Sequence, residues 1–113
     1  MIAVQLTMAL TRDFRETIRE RAQREPEFRQ SLLREGLELI HRGDFATGRA
    51  VLRNYIHATI GFRELARATK ISSPSLQRMF GPSGNPRAEN LFGVLAALQK
   101  QEGVRIEVQM RRS

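Results

Sequence analysis

The stretch FRELARATKISSPSLQRMF, residues 62–80, most constrains what this chain can fold into. It divides into two short helical segments on either side of a tight turn. In the first segment, Ala66 is small enough to let a second helix cross closely beside it. Ile71 is placed to fill the turn, and Ser72 or Ser73 is placed to cap the second segment. This order of residues predicts a helix-turn-helix.

The second helical segment has an apolar face and a polar face. Leu76, Met79 and Phe80 recur at spacings of three and four, which predicts that they face the core. The side chains left outward or lateral are Ser73, Ser75, Gln77 and Arg78. Glutamine can read adenine and arginine can read guanine through paired hydrogen bonds. We therefore predict that these four residues read DNA bases.

The charge distribution favours a polyanionic partner. The 113-residue chain has a formal net charge of +7. Residues 61–113 carry +5 of it, from nine Lys or Arg and four acidic residues, so the excess lies in the half that contains the paired helices. Nucleic acid is the first candidate partner for such a half. The residues placed to contact the DNA backbone are Arg63, Lys70, Ser83, Asn85 and Arg87.

The rest of the chain predicts an all-α domain. Residues 1–43 form a helical N-terminal extension, in which Pro26 suits a first helical turn and Gly43 is placed to stop a helix. Residues 44–113 form the helix-turn-helix region as one compact unit. Further boundary signals are a cap at Thr11, a cap at Asp44, a helix end at Gly61, a cap at Asn85 followed by Pro86, and a helix end at Gly103.

Each end of the chain shows a short alternating pattern. Apolar residues recur at every second position, at Ile2, Val4 and Leu6 and again at Val104, Ile106 and Val108. This period of two predicts a short strand at each terminus. Such strands need partners, and the pattern leaves open whether they pair within one chain or across a dimer.

Residues that would support catalysis are missing. The chain has no cysteine, which excludes disulfides, cysteine-ligated zinc and thiol nucleophiles. His41 and His57 lie on different predicted helices, and the acidic residues at 16, 20, 35 and 38 lie among arginines. There is no phosphate-binding loop, dinucleotide-binding glycine pattern or nucleophile elbow. We expect no enzyme activity, no catalytic residue, no metal and no cofactor.

The N-terminal stretch MIAVQLTMAL is apolar but too short to span a membrane, and no basic run precedes it. We therefore expect no membrane association and a cytoplasmic protein.

The segments GFRELARATKISSPSLQRMFGPSGNP and ENLFGVLAALQKQEGV resemble the lambda-repressor-like (Xre/Cro-type) helix-turn-helix superfamily. Within it, residues 44–108 look most like the antidote proteins of HigA-type toxin–antitoxin modules. The matching positions, in order, are Leu65-Ala66, Leu76, Asn85-Pro86, Leu91 and Leu98.

The resemblance implies a homodimer that binds a palindromic operator in double-stranded DNA and represses its own operon. It also implies a toxin protein as a possible partner. Carried over by position, base reading falls on Ser73, Ser75, Gln77 and Arg78, and backbone contact falls on Arg63 and the loop around Ser83. Two residues depart from the family pattern. Lys70 stands where many relatives have glycine, and Phe62 stands where several have a polar residue that contacts DNA, so we predict that Phe62 is core.

Two other functions remain open at the level of sequence. The same fold could serve as a protein-interaction module that neutralises a toxin without reading DNA, with residues 1–43 holding the partner. An RNA-binding role is the third alternative. It is weakened by an aromatic content of 6%, because RNA readers often stack bases on exposed rings.

Overall fold

A computed structural model describes residues 12–113, with side chains described from Phe14 onward. The described part of the chain forms helices only, which confirms the all-α fold class. They are α1 (Arg12–Arg24), α2 (Pro26–His41), α3 (Phe45–Ala58), α4 (Gly61–Thr69), α5 (Ser73–Met79) and α6 (Ala88–Glu102).

The helices share one hydrophobic core. Helices α1, α2 and α3 pack against each other, and α4 contacts α3, α5 and α6. The largest fully buried side chains come from α2 to α6 and the residue that follows α5: Leu32, Val51, Leu52, Tyr55, Ile56, Leu65, Leu76, Phe80, Val94 and Leu98. The α4–α5 pair is therefore joined to the three N-terminal helices through the contact between α3 and α4.

Two glycines allow α2 and α3 to approach closely. A Cβ atom on Gly36 would lie 2.7 Å from Cδ2 of Leu52, and one on Gly48 would lie 2.6 Å from Cγ1 of Ile40. Real side chains do not reach such distances, so any larger residue would push the two helices apart. Neither glycine carried a signal in the sequence beyond its residue type.

Several helix boundaries match the sequence predictions. Pro26 is the first residue of α2, and Gly43 follows α2 with a φ of +92°. Asp44 caps α3, because its Oδ1 accepts a hydrogen bond of 3.3 Å from the backbone N–H of Thr47. Gly103 caps α6 in the left-handed region, with a φ of +73°.

Two boundary predictions are wrong. Gly61 does not end α3, which stops at Ala58; it begins α4, and its φ of +79° lets the chain turn sharply between the two helices. Asn85 does not cap α6. The cap position is Arg87, whose backbone is still extended (φ −65°, ψ 146°). The loop after α5 must first cross the end of that helix, so α6 begins later than the Asn-Pro signal suggested.

The predicted C-terminal strand at Val104, Ile106 and Val108 is also wrong: residues 104–113 have no regular secondary structure. A strand needs a second strand, and within the described residues the backbone here bonds to α6 instead. The N–H of Val104 donates to the carbonyl of Gln99 and that of Ile106 to Oε1 of Gln99. The N-terminal strand predicted at Ile2, Val4 and Leu6, and the cap at Thr11, lie outside the described residues.

A buried polar cluster joins the N-terminal helices to the end of α6. The Glu102 side chain is 2% exposed, and its Oε2 lies 2.6 Å from Nε of Arg29. The hydroxyl of Tyr55 donates a hydrogen bond of 2.5 Å to Oε1 of the same carboxylate. Burial raises the pKa of Tyr55 well above its ordinary value, and the hydrogen bond to Glu102 and its negative charge raise it further. Tyr55 is therefore a core residue.

Candidate nucleic-acid interface

The turn between α4 and α5 is set by the backbone of Lys70. This residue is left-handed (φ 61°, ψ 25°), and its N–H donates to the carbonyl of Ala66 at 2.8 Å. It is the one described non-glycine residue with a positive φ. The Thr69 hydroxyl accepts the N–H of Ile71 at 3.3 Å and so holds the next peptide. Lys70 adopts this left-handed conformation although it is not a glycine, and it carries its charge at the start of the turn.

The second helix is capped and buried as its residue pattern predicts. Oγ of Ser72 accepts the N–H of Ser75 at 3.3 Å, which identifies Ser72 as the cap. Leu76 and Phe80 are buried, and Met79 is half-buried against the core. Phe62 of α4 is buried too, with its ring centroid 6.5 Å from that of Phe80. Phe62 is therefore a core residue, as predicted.

The four candidate base-reading residues form two hydrogen-bonded pairs on α5. Gln77 and Arg78 are exposed, and Ser73 and Ser75 are half-buried. Nε2 of Gln77 donates to Oγ of Ser73 at 3.1 Å, and Nη2 of Arg78 donates to Oγ of Ser75 at 3.1 Å. Each long side chain thus lies back along the helix towards its N-terminus. The hydroxyls hold the amide and the guanidinium in defined positions.

An open depression of about 610 Å³ lies between α5 and the loop of residues 81–86. From α5 it is lined by Ser75, Gln77 and Arg78, and from the loop by Ser83 and Asn85, together with neighbouring small residues and prolines. The structure therefore brings together three predicted base-reading residues and two predicted backbone-contacting residues. Ser73 and the three cations Arg63, Lys70 and Arg87 do not line this depression.

The cations around α5 are available to a ligand. Arg63, Lys70, Arg78 and Arg87 are all exposed. Among the described residues none of these four forms an ion pair, whereas Nη1 of Arg67 on α4 lies 2.6 Å from Oε1 of Glu64. Exposed cations without a carboxylate partner attract phosphate groups at little cost, because no existing pair must be broken.

Gly84 and Arg49, which the sequence analysis did not single out, fix the position of the loop of residues 81–86 beside α5. A Cβ on Gly84 would lie 2.3 Å from the carbonyl oxygen of Met79 and 2.5 Å from that of Arg78, so the loop packs directly on the end of α5. From α3, Nη2 of Arg49 donates to the carbonyl of Pro82 at 3.3 Å. The glycine at position 84, within a predicted loop, could have indicated that the loop backbone packs closely against another element there. Arg49 gave no such signal.

Histidine and acidic residues do not build a second site in the described part of the chain. Residues 12–113 contain no group of three or more side chains arranged to hold a metal ion. Partial burial, followed by the positive charges of Arg15 and Arg53, lowers the pKa of His57, whose ring lies edge-on to Phe62 at 4.9 Å. The lowered pKa favours the neutral form of His57 at pH 7.

The same part of the chain has no helix with the length and apolar character that crossing a bilayer requires.

Comparison of this chain with protein-family models, with curated proteins and with solved structures finds no match. The interface is therefore interpreted from its own geometry.

Proposed function

We propose that this protein binds double-stranded DNA through α5 and regulates transcription. The observation that carries the proposal is the division of α5 into two faces. Leu76 is fully buried against the core, while Gln77 and Arg78 are exposed and line the open depression between α5 and the loop of residues 81–86. A recognition helix needs this division, because one face must fix the helix to its domain while the other meets base edges.

The dimensions of α5 suit the major groove. An α-helix with its side chains is about 10–12 Å across and fits a major groove about 12 Å wide, and α5 is a helix of seven residues. Residues near the N-terminus of a recognition helix usually meet the bases, which places Ser73 and Ser75 with Gln77 in that role. Gln77 then offers paired hydrogen bonds to adenine, and Arg78 offers them to guanine.

The surrounding charges would fix the protein on the DNA backbone. Lys70 lies in the turn between α4 and α5, Arg63 lies on α4 and Arg87 immediately precedes α6; all three are exposed. Ser83 and Asn85 supply loop groups beside the same helix. Such contacts give affinity and orientation without sequence preference, and they make binding sensitive to salt.

We further propose that the protein is a cytoplasmic homodimer that binds a palindromic operator, represses its own operon and neutralises a toxin protein. This proposal is supported by the resemblance of residues 44–108 to HigA-type antidotes. Two-fold symmetry in the protein would then be matched by two half-sites in the operator.

The experiment is a comparison of three variants on two DNAs, a fragment from upstream of the protein's own gene and a scrambled fragment of equal length. Gln77→Ala and Arg78→Ala should each weaken binding to the upstream fragment by about 5- to 150-fold, since a paired base contact contributes about 1–3 kcal/mol. Lys100→Ala on α6 removes an exposed charge outside the interface and is the matched control. Equal losses on both DNAs for Gln77→Ala and Arg78→Ala would refute base reading.

A further inference from the structure

Residues 104–108, VRIEV, have a pattern that DNA binding does not use. Val104 and Ile106 are half-buried, whereas Arg105 and Glu107 are exposed. The two charged side chains lie on the same side of the chain, with Nη2 of Arg105 3.7 Å from Oε1 of Glu107. Burial that alternates from one residue to the next is typical of an extended segment. So is the position of side chains two residues apart on the same side of the chain.

This segment is attached to the protein along one edge of its backbone. The N–H of Val104 donates to the Gln99 carbonyl at 3.1 Å, and that of Ile106 donates to Oε1 of Gln99 at 2.8 Å. In an extended chain the peptide groups of the residues on either side of Ile106 point to the opposite edge. Within the described residues, the backbone groups of Arg105 and Glu107 have no hydrogen-bond partner.

We propose that two copies of this chain pair through residues 104–108 as antiparallel strands, with the two-fold axis at Ile106. Arg105 of each copy then lies opposite Glu107 of the other, and Val104 lies opposite Val108. Arg105 of each copy forms a hydrogen-bonded pair with Glu107 of the other copy. The backbone N–H and C=O groups of these residues, which have no partner within the described residues, then bond to each other. Ile106 meets its own symmetry mate across the axis.

The second copy is favoured over other partners by the charge pattern. Antiparallel pairing about Ile106 places opposite charges across from each other twice, whereas parallel pairing in register would place like charges together. The pairing also covers Val108, which is 71% exposed. A two-stranded ribbon alone is marginally stable, but Ile106 packs against the hydrophobic core and so supports it. The inference deepens the homodimer part of the proposed function, although the pairing itself requires no DNA.

Charge reversal tests the pairing in the full-length chain by sedimentation equilibrium. Arg105→Glu and Glu107→Arg should each raise the dimer dissociation constant about tenfold or more, because two symmetric pairs change from attraction to repulsion. The double variant should dimerise as the wild type does, and an equimolar mixture of the single variants should form heterodimers. Arg112→Glu, an equal charge change four residues past Val108, is the control and should have no effect.

A cross-link tests the register independently. The chain has no cysteine, so Ile106→Cys introduces a single thiol at the two-fold axis, where facing Cα atoms lie about 4.5 Å apart, close enough for a disulfide. Ile106→Cys should form a covalent dimer on mild oxidation faster than Met110→Cys, whose side chain is 96% exposed but off the axis.

Several outcomes separate the pairing from DNA binding. A wild-type chain that stays monomeric up to millimolar concentration, or single charge variants that dimerise like the wild type, would overturn the pairing. A dimer that binds no DNA would overturn only the DNA-binding proposal. A monomer that binds the upstream fragment specifically would overturn only the pairing.

Discussion

Nη2 of Arg78 donates a hydrogen bond of 3.1 Å to Oγ of Ser75, one turn earlier on α5. The same hydroxyl oxygen accepts a hydrogen bond of 2.8 Å from Oγ of the capping residue, Ser72. The guanidinium is thereby tied to the start of the helix before any base is present. A side chain held in position loses less conformational freedom when it binds, so this contact bears directly on base reading.

Removing the hydroxyl should weaken base reading without weakening the helix. In Ser75→Ala the N–H of residue 75 still reaches Ser72, so the cap remains, but Arg78 loses its tether. We expect affinity for the preferred site to fall about three- to tenfold, as expected for the ordering of one long side chain. The measurement is the ratio of dissociation constants for preferred and scrambled DNA. Ser75→Thr keeps a hydroxyl and is the control; identical ratios for all three proteins would refute the tether.

Lys70 combines a strained backbone with a useful charge, and two substitutions separate these properties. Lys70→Gly should raise the free energy of unfolding by up to about 1 kcal/mol, because glycine adopts φ of +61° without a Cβ clash. Lys70→Ala keeps the Cβ and should bring no such gain. Both variants should bind all DNA sequences more weakly. The slope of log binding constant against log salt concentration should also decrease in magnitude by about one, because one phosphate contact is lost. Denaturant unfolding and salt titrations measure the two effects, and unchanged DNA binding in both variants would exclude a phosphate contact.

Replacing Gly84 with alanine should destabilise the protein, whereas replacing Gly93 with alanine should stabilise it. Gly84 lies in the loop before α6, and Gly93 lies within α6. In Gly84→Ala the new Cβ meets backbone oxygens at 2.3 and 2.5 Å, so the loop must move; we expect a loss of about 1–3 kcal/mol in unfolding free energy and weaker DNA binding. Gly93→Ala meets nothing within 4 Å on an exposed helical face and should gain about 0.5–1 kcal/mol. Equal stabilities for the two variants would contradict the close packing of the loop on α5.

Tyr55 should make the protein less stable at alkaline pH. Its pKa is raised in the folded state, so its contribution is fully present below the ordinary tyrosine pKa of about 10 and is lost as the pH rises above that value. The chain has one tyrosine, so absorbance near 295 nm reports its ionisation alone. At a pH of about 10 the folded protein should show less phenolate than the unfolded chain does, and Tyr55→Phe should lose this part of the alkaline decline. Ionisation near pH 10 in the folded protein would contradict the buried contact with Glu102.

The two helices α4 and α5 and the turn between them were predictable because their signals are local. The cap at Ser72, the turn at Lys70 and the buried residues Leu76 and Phe80 each depend on neighbours within a few positions. The same holds for Asp44 and Gly103. Patterns of spacing and capping are sufficient for such features.

Features that depend on distant residues could not be predicted in this way. Arg29 and Glu102 are 73 positions apart in the sequence, and nothing in their local patterns indicates that the two side chains meet. The reach of Arg49 to the loop and the crossing at Gly36 and Gly48 likewise exist only once the helices pack. The start of α6 was missed for the same reason, because the path of the loop over α5 delays it.

The most direct test of DNA recognition is wild-type binding to the upstream fragment and to the scrambled fragment, by fluorescence anisotropy, at about 50 and 200 mM salt. The account predicts that the upstream fragment binds about 1,000-fold more tightly or better and keeps this preference at the higher salt, because base contacts depend on salt less than phosphate contacts do. Equal binding to both fragments that disappears at the higher salt would contradict recognition by α5.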